Sequence, residues 1–233
     1  MLDVPTADLR WDSTPESPTA AVLVLHGGQE RSTLPAGWWQ PPVVRMLPIA
    51  RNIVRAGDGR LAVLRSRYAV RGWNDALASP LRDTEQALDT IAARYPGVPV
   101  VLIGHSMGGR VALCLTGDER VSAVVGLAPW IERSDTFAPH DGVRLLLLHG
   151  LADRITSPTA SRHLVERLQQ EGRQASFVGL AGEKHAMLRR RRTWDQLTVG
   201  FVTANSGVEM SGDETSDVIL GRTASSETLL TTI

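Results

Sequence analysis

Short apolar runs that close on glycine or a polar turn recur along the chain, and each is followed by a stretch whose apolar residues return at helical spacing. Ala20–Leu25 (AAVLVL) is the first such run and predicts a strand; residues 42–56 after it predict a helix, broken at Pro48 because a proline inside a helix removes a hydrogen bond and crowds the preceding turn. Further strands are predicted at 61–64, 98–103, Val121–Leu127, 143–148 and 175–178, and further helices at 77–94, 107–115, Pro158–Gln170 and 186–203. Pro158 suits a first helical turn, with Ser157 as its cap. Runs such as VVLI and LLLL show no polar alternation, so both of their faces must be covered, as in a parallel sheet between two layers of helices. The predicted fold is α/β: a three-layer α/β/α sandwich with a mostly parallel central sheet.

Length fits one domain, since 233 residues can bury a single substantial core. Residues 1–19, which hold Pro5, Pro15 and Pro18, read as a lead-in segment, and residues 20–204 as the folded domain. Residues 205–233 hold ten Ser or Thr, five acids, one Arg and no aromatic residue, which predicts a flexible polar tail. Lys plus Arg and Asp plus Glu are equal at 25 each, so no overall field favours a nucleic acid or an acidic membrane. Cys114 is the only cysteine: it has no internal disulfide partner, reads as buried helix filler, and suggests a reducing compartment. No apolar run is long enough to span a bilayer and the first residues lack a signal-peptide core, so the expected location is cytoplasmic. Lys184 is the only lysine beside 24 arginines, a skew that suggests a GC-rich bacterial source.

In open α/β sheets, ligands gather beyond the carboxyl ends of the strands, so the residues after each strand deserve the closest reading. The 98–103 strand runs into Gly104-His105-Ser106-Met107-Gly108-Gly109 and then a helix, the strand–turn–helix setting of a Gly-x-Ser-x-Gly nucleophile elbow. A serine hydroxyl needs a base within hydrogen-bond reach. His185, in the loop between the last strand and the last helix, is the best placed of six histidines. His26 and His149 end strands in His-Gly pairs, which favours structural hydrogen bonding, His163 lies within a helix, and His140 precedes a strand at the opposite edge of the sheet. Asp153, after the 143–148 strand, is the acid expected to orient that imidazole, with Asp135 as the fallback.

The chain order Ser106, Asp153, His185, together with LHGG, GHSMGG, HGLAD and EKHAM in sequence, resembles the α/β-hydrolase superfamily from about residue 20 to 203. The resemblance implies an oxyanion hole from the backbone N–H groups of Gly28 and Met107. Only 14 residues, 129–142, separate the strand ending near Ala128 from the next, too few for the helical cap of many relatives, so a small, lidless member similar to dienelactone hydrolases or small carboxylesterases is expected. Dienelactone hydrolases carry cysteine where Ser106 stands, and the Gly-rich motif of hormone-sensitive-lipase relatives stops here at Gln29.

The expected activity is hydrolysis of a small, fairly apolar carboxylic ester or thioester through an acyl-enzyme, with no metal or cofactor. Peptide or amide hydrolysis, acyl transfer by the same three residues, and a non-catalytic binding module on this fold remain alternatives. Trp38, Trp39, Trp73 and Trp130 follow predicted strands and are candidates to line an apolar substrate pocket or simply to pack. Arg189, Arg190, Arg191 and Arg192 read as a solvated helix face rather than an anion site. The expected partner is a small-molecule ester or thioester, with no nucleic acid and no membrane; substrate identity and oligomeric state stay open.

Overall fold

The computed structural model describes residues 5–208 and 230–233. Its core is an eight-stranded sheet in the order β1-β3-β2-β4-β5-β6-β7-β8, formed by β1 (Asp8–Ser13), β2 (Ala20–Leu25), β3 (Leu61–Arg67), β4 (Val100–His105), β5 (Val121–Leu127), β6 (Arg144–Gly150), β7 (Ala175–Leu180) and β8 (Leu230–Thr232). β1 pairs antiparallel with β3, and every other pairing is parallel. Side-chain alternation makes each inner strand serve two cores. In β2, Ala21, Leu23 and Leu25 join one cluster, with Leu88, Val111 and Leu164 of α2 (Ser79–Arg94), α3 (Met107–Cys114) and α4 (Pro158–Gln170). Ala20, Val22 and Val24 join the other, with Met46 and Trp194 of α1 (Pro41–Gly57) and α5 (Arg191–Ala204). The expected three-layer sandwich is what forms.

Several boundaries depart from expectation. α1 runs unbroken through Pro48, because the carbonyl freed at the preceding turn belongs to Val44, on the helix's exposed side, where water can satisfy it. α5 starts at Arg191 rather than 186, and residues 184–190 form turns. Residues 1–19 include an edge strand, β1, held to β3 by paired backbone and by a two-pronged contact in which Arg65 Nε and Nη2 donate to Asp12 Oδ2 and Oδ1 at 2.5 and 2.7 Å. Residues 209–229 of the expected tail lie outside the described residues, while Leu230–Thr232 pairs with β7. Cys114, expected to be buried, is exposed at the end of α3, because the short helix turns its last residue outward.

Ser157 caps α4 as expected, its Oγ accepting from Ala160 N at 3.1 Å. Between β5 and β6 no helix intervenes. No helix among the described residues is long and apolar enough to cross a membrane.

Candidate active site

β4 ends at His105 and α3 begins at Met107, leaving Ser106 as the single residue of the turn. Its φ of 56° and ψ of −116° lie in a region that a side chain rarely occupies. The surroundings hold it there: Ser106 N donates to Leu127 O at 3.0 Å, while its carbonyl accepts from Arg110 N and Trp130 N at 3.1 and 3.0 Å. Strand and helix can meet this tightly only through glycine. A Cβ on Gly104 would stand 2.1 Å from Gly108 O, and one on Gly108 2.7 Å from the carbonyls of Leu25 and His26. The hydroxyl therefore projects from a rigid, over-determined turn.

His185 follows β7 by five residues and Asp153 follows β6 by three. His185 Nε2 lies 3.1 Å from Ser106 Oγ, and His185 Nδ1 lies 2.8 Å from Asp153 Oδ2. All three motif residues thus converge at the carboxyl edge. Asp153 is buried, and burial alone would favour its neutral form. Hydrogen bonds from His149, Ile155 N, His185 and Thr156 outweigh that and hold the carboxyl well below the usual carboxylate range. Its Oδ1 closes a turn by accepting from Ile155 N and Thr156 N at 2.7 and 3.2 Å, so the same side chain serves as turn residue and imidazole partner. Burial lowers the proton affinity of His185 below its ordinary value, against the pull of Asp153.

Three further residues support the site; His149 was expected to be a structural hydrogen-bonder, whereas Glu183 and His105 escape sequence reading. His149, completely buried, donates its Nε2–H to Asp153 Oδ2 at 3.2 Å while its Nδ1 accepts from Ser161 Oγ at 2.8 Å, so it steadies the carboxylate from α4. Glu183, also buried, accepts from Lys184 N at 2.9 Å through Oε1 and from Arg190 N at 2.5 Å through Oε2, clamping both ends of the loop that carries His185. His105 Nε2 donates to the His185 carbonyl at 3.0 Å. The spacing of His149 and Asp153 was a visible signal; the roles of Glu183 and His105 depend on chain reversals that no local pattern announces.

Gly28 packs against the Met107 side chain and the Arg71 carbonyl, and Met107 N opens α3, where a backbone N–H has no partner within the helix. The tryptophans scatter. Trp38 is engaged with the β1 edge: its Nε1 donates to Asp8 Oδ2 at 2.7 Å and the Arg10 guanidinium covers its ring. Trp73 and Trp130 meet edge to face at 6.2 Å with Arg110 within 4.4 Å of both rings, a packed unit beside the elbow. Trp39 is 77 % exposed and, with Gly28 and Arg71, lines a hollow of about 230 Å³.

The fallback acid Asp135 is taken by Arg110 at 2.6 Å, away from His185. His26 bridges Gly27 O and Tyr68 N, a structural role like the one expected, and burial brings its pKa to about 4. His140 holds the start of β5 through Val121 O. Arg189 through Arg192 are exposed at the start of α5, and only Arg191 and Arg192 belong to the helix. Among the described residues no group of three or more His, Cys, Asp or Glu is arranged to hold a metal ion.

A sheet of this order, with serine at the β4–α3 turn, acid after β6 and histidine after β7, defines the α/β-hydrolase class of fold. Known proteins agree with it. A family model described as serine aminopeptidase, S33, matches residues 56–142. Human monoglyceride lipase is 47 % identical over 119 residues, covering 50 % of this chain and 36 % of that protein; a monoglyceride lipase homolog of monkeypox virus is 31 % identical over 108 residues, covering 43 % and 34 %. This chain thus spans about a third of the length of these curated relatives. Among solved structures, an α/β serine hydrolase without a lid from Xanthomonas campestris aligns with a TM-score of 0.64 at 19 % identity, covering 88 % of this chain and 91 % of that one. A thermophilic esterase of Thermogutta terrifontis with propionate bound aligns with a TM-score of 0.65 at 17 % identity, covering 88 % and 92 %. The chain has the α/β-hydrolase fold, and in sequence it is similar to serine hydrolases over part of its length.

Proposed function

We propose that the protein is a serine hydrolase that cleaves a small, fairly apolar carboxylic ester or thioester through an acyl-enzyme, with residues 20–204 as its catalytic domain. One observation carries the reading: a serine in strained backbone geometry has an imidazole 3.1 Å from its hydroxyl, and that imidazole has a carboxylate 2.8 Å behind it. In this scheme Ser106 Oγ attacks the acyl carbon while His185 Nε2 takes its proton. Asp153 keeps Nδ1 protonated and stabilises the imidazolium. The oxyanion is met by the N–H groups of Gly28 and Met107, each worth about 10² to 10³ in rate. Collapse breaks the bond to the leaving group, which departs with the proton from His185. Water, deprotonated by the same imidazole, then attacks the acyl-serine and releases the carboxylic acid and free Ser106.

Relatives support the ester reading, since they include a monoglyceride lipase and an esterase holding propionate. The aminopeptidase description of the family model favours a second reading, cleavage of an N-terminal peptide bond by the same residues. The absence of a helical insertion between β5 and β6 leaves that side of the site open to either.

A fluorophosphonate probe tests the core of the proposal. It is expected to label the wild type and not Ser106→Ala, whose turnover falls by about 10⁴-fold or more. Equal labelling of both removes Ser106 as nucleophile; labelling of neither, with no turnover of short p-nitrophenyl esters, leaves a binding module on this fold. Parallel assays on thioesters and aminoacyl p-nitroanilides decide between the ester and peptide readings.

A further inference from the structure

A second cavity, of about 330 Å³, lies between α1 and α5 beneath the loop that carries His185. Its walls include Met187 and Leu188, just beyond His185, but not Ser106, Gly28 or Met107, so it opens beside the candidate site rather than onto the serine, with Arg45 within electrostatic reach of His185. The size falls at the lower end of small-molecule sites, about 300 to 1,000 Å³. Val44, Ile49, Met187, Leu188 and Trp194 make its lining largely apolar, and Val44 and Leu188 are exposed at its edge.

Two polar groups in this wall have no partner. Arg45, half-buried on α1, makes no hydrogen bond or ion pair among the described residues, which is unusual for a guanidinium with five donors. The indole Nε1–H of Trp194, whose ring is 1 % exposed, is also unsatisfied. The remaining charges in the wall offset each other, since Arg191 pairs with Asp195 at 3.8 Å. The cavity therefore presents one uncompensated positive charge to an apolar wall that includes Trp194, whose Nε1–H is buried within that wall. Burial disfavours the charged form of Arg45, so an anion beside it would offset that cost.

We propose that this cavity binds an amphipathic monocarboxylate, an aliphatic acid of medium chain length, with its carboxylate on Arg45 and its chain against Val44, Ile49, Met187 and Trp194. A neutral chain would leave the guanidinium unpaired, and a phosphate or other compact anion would leave the apolar wall unused. An aliphatic acid matches both. It is also the product class of the proposed hydrolysis, so its meaning as a product-sensing site rests on that reading, whereas its binding does not.

The test titrates sodium decanoate, below its micelle concentration, into the whole protein, followed by calorimetry and by the Trp194 indole N–H resonance, assigned with Trp194→Phe. The expected result is one decanoate per chain, a saturable shift of that resonance, affinity at least about tenfold weaker in Arg45→Gln, and a similarly weaker response to the isosteric 1-decanol. Ser106→Ala is expected to bind decanoate as the wild type does. An unmoved indole resonance, equal affinity in wild type and Arg45→Gln, or equal affinity for acid and alcohol overturns the proposal. So does loss of binding in Ser106→Ala, which would put the acid at the serine instead. Binding as expected in a protein with no esterase turnover keeps the cavity and discards the hydrolase reading, so the two fail separately.

Discussion

At the scale of single residues, the candidate site is a chain of proton donors and acceptors whose order is fixed by burial. His185 accepts the serine proton only when neutral, and its proton affinity is lowered, chiefly by burial. The kcat/KM of ester hydrolysis is therefore expected to fall on the acid side with a midpoint below about 6.5, the ordinary histidine value. Asp153, held ionised far below that range, adds no second limb there. A pH–rate profile with its acid midpoint above 6.5 contradicts this assignment. Glu183 tests the support beneath the imidazole. Removing its two acceptors in Glu183→Ala leaves the N–H groups of Lys184 and Arg190 unmatched, for an expected loss of about 1 to 3 kcal/mol in stability and at least about tenfold in kcat. Glu183→Gln, which keeps one acceptor, is expected to recover part of both, measured by thermal unfolding and turnover on the same preparations.

Among the elements, the helices show how local chemistry and packing divide the work. Ser157→Ala removes a cap at the exposed start of α4 and is expected to cost about 1 kcal/mol of stability, read by thermal unfolding. α1 carries the opposite feature. An internal proline opposes a helix by about 3 kcal/mol, yet α1 persists because Met46, Ile49, Ala50 and Ile53 are locked into the core between the sheet and α5. Pro48→Ala is therefore expected to raise the unfolding free energy, by less than that amount because alanine also loosens the unfolded chain; chemical denaturation checks the sign. The break predicted at Pro48 is absent on both counts: the Val44 carbonyl it frees lies on the exposed side, and core burial exceeds the remaining local penalty.

For the whole molecule, two buried histidines contribute to the loss of stability on the acid side. Burial lowers His26 to about 4 and His105 to about 3, while both titrate near 6.5 in the unfolded chain. Between pH 6.5 and about 4 the unfolded state therefore binds more protons than the folded one, and stability falls as pH falls through that window. Thermal unfolding across pH 4 to 7 is expected to show this decline, with a shallower slope in His105→Gln, which retains an N–H donor toward the His185 carbonyl. An unchanged slope in that variant counts against His105 as a contributor. Removing residues 1–18 is expected to expose the edge of β3 and promote association, read as a concentration-dependent increase in particle size.

The apolar runs by themselves determined a parallel sheet between helices, because uninterrupted strands have no other way to hide two faces from water. Motif and chain order likewise singled out Ser106, Asp153 and His185, since an elbow needs glycine on both sides of its serine and strand ends share one rim. Only the tertiary structure decided what those residues rest on. That His149 reaches back to Asp153, that Glu183 spans the His185 loop, that Trp38 is engaged by β1 while Trp39 faces the hollow beside Gly28, and that Arg45 is left without a counter-charge are all facts of distance. Each joins segments far apart in sequence or turned by irregular loops, where hydrophobic periodicity carries no signal and only the folded packing fixes which side chain meets which.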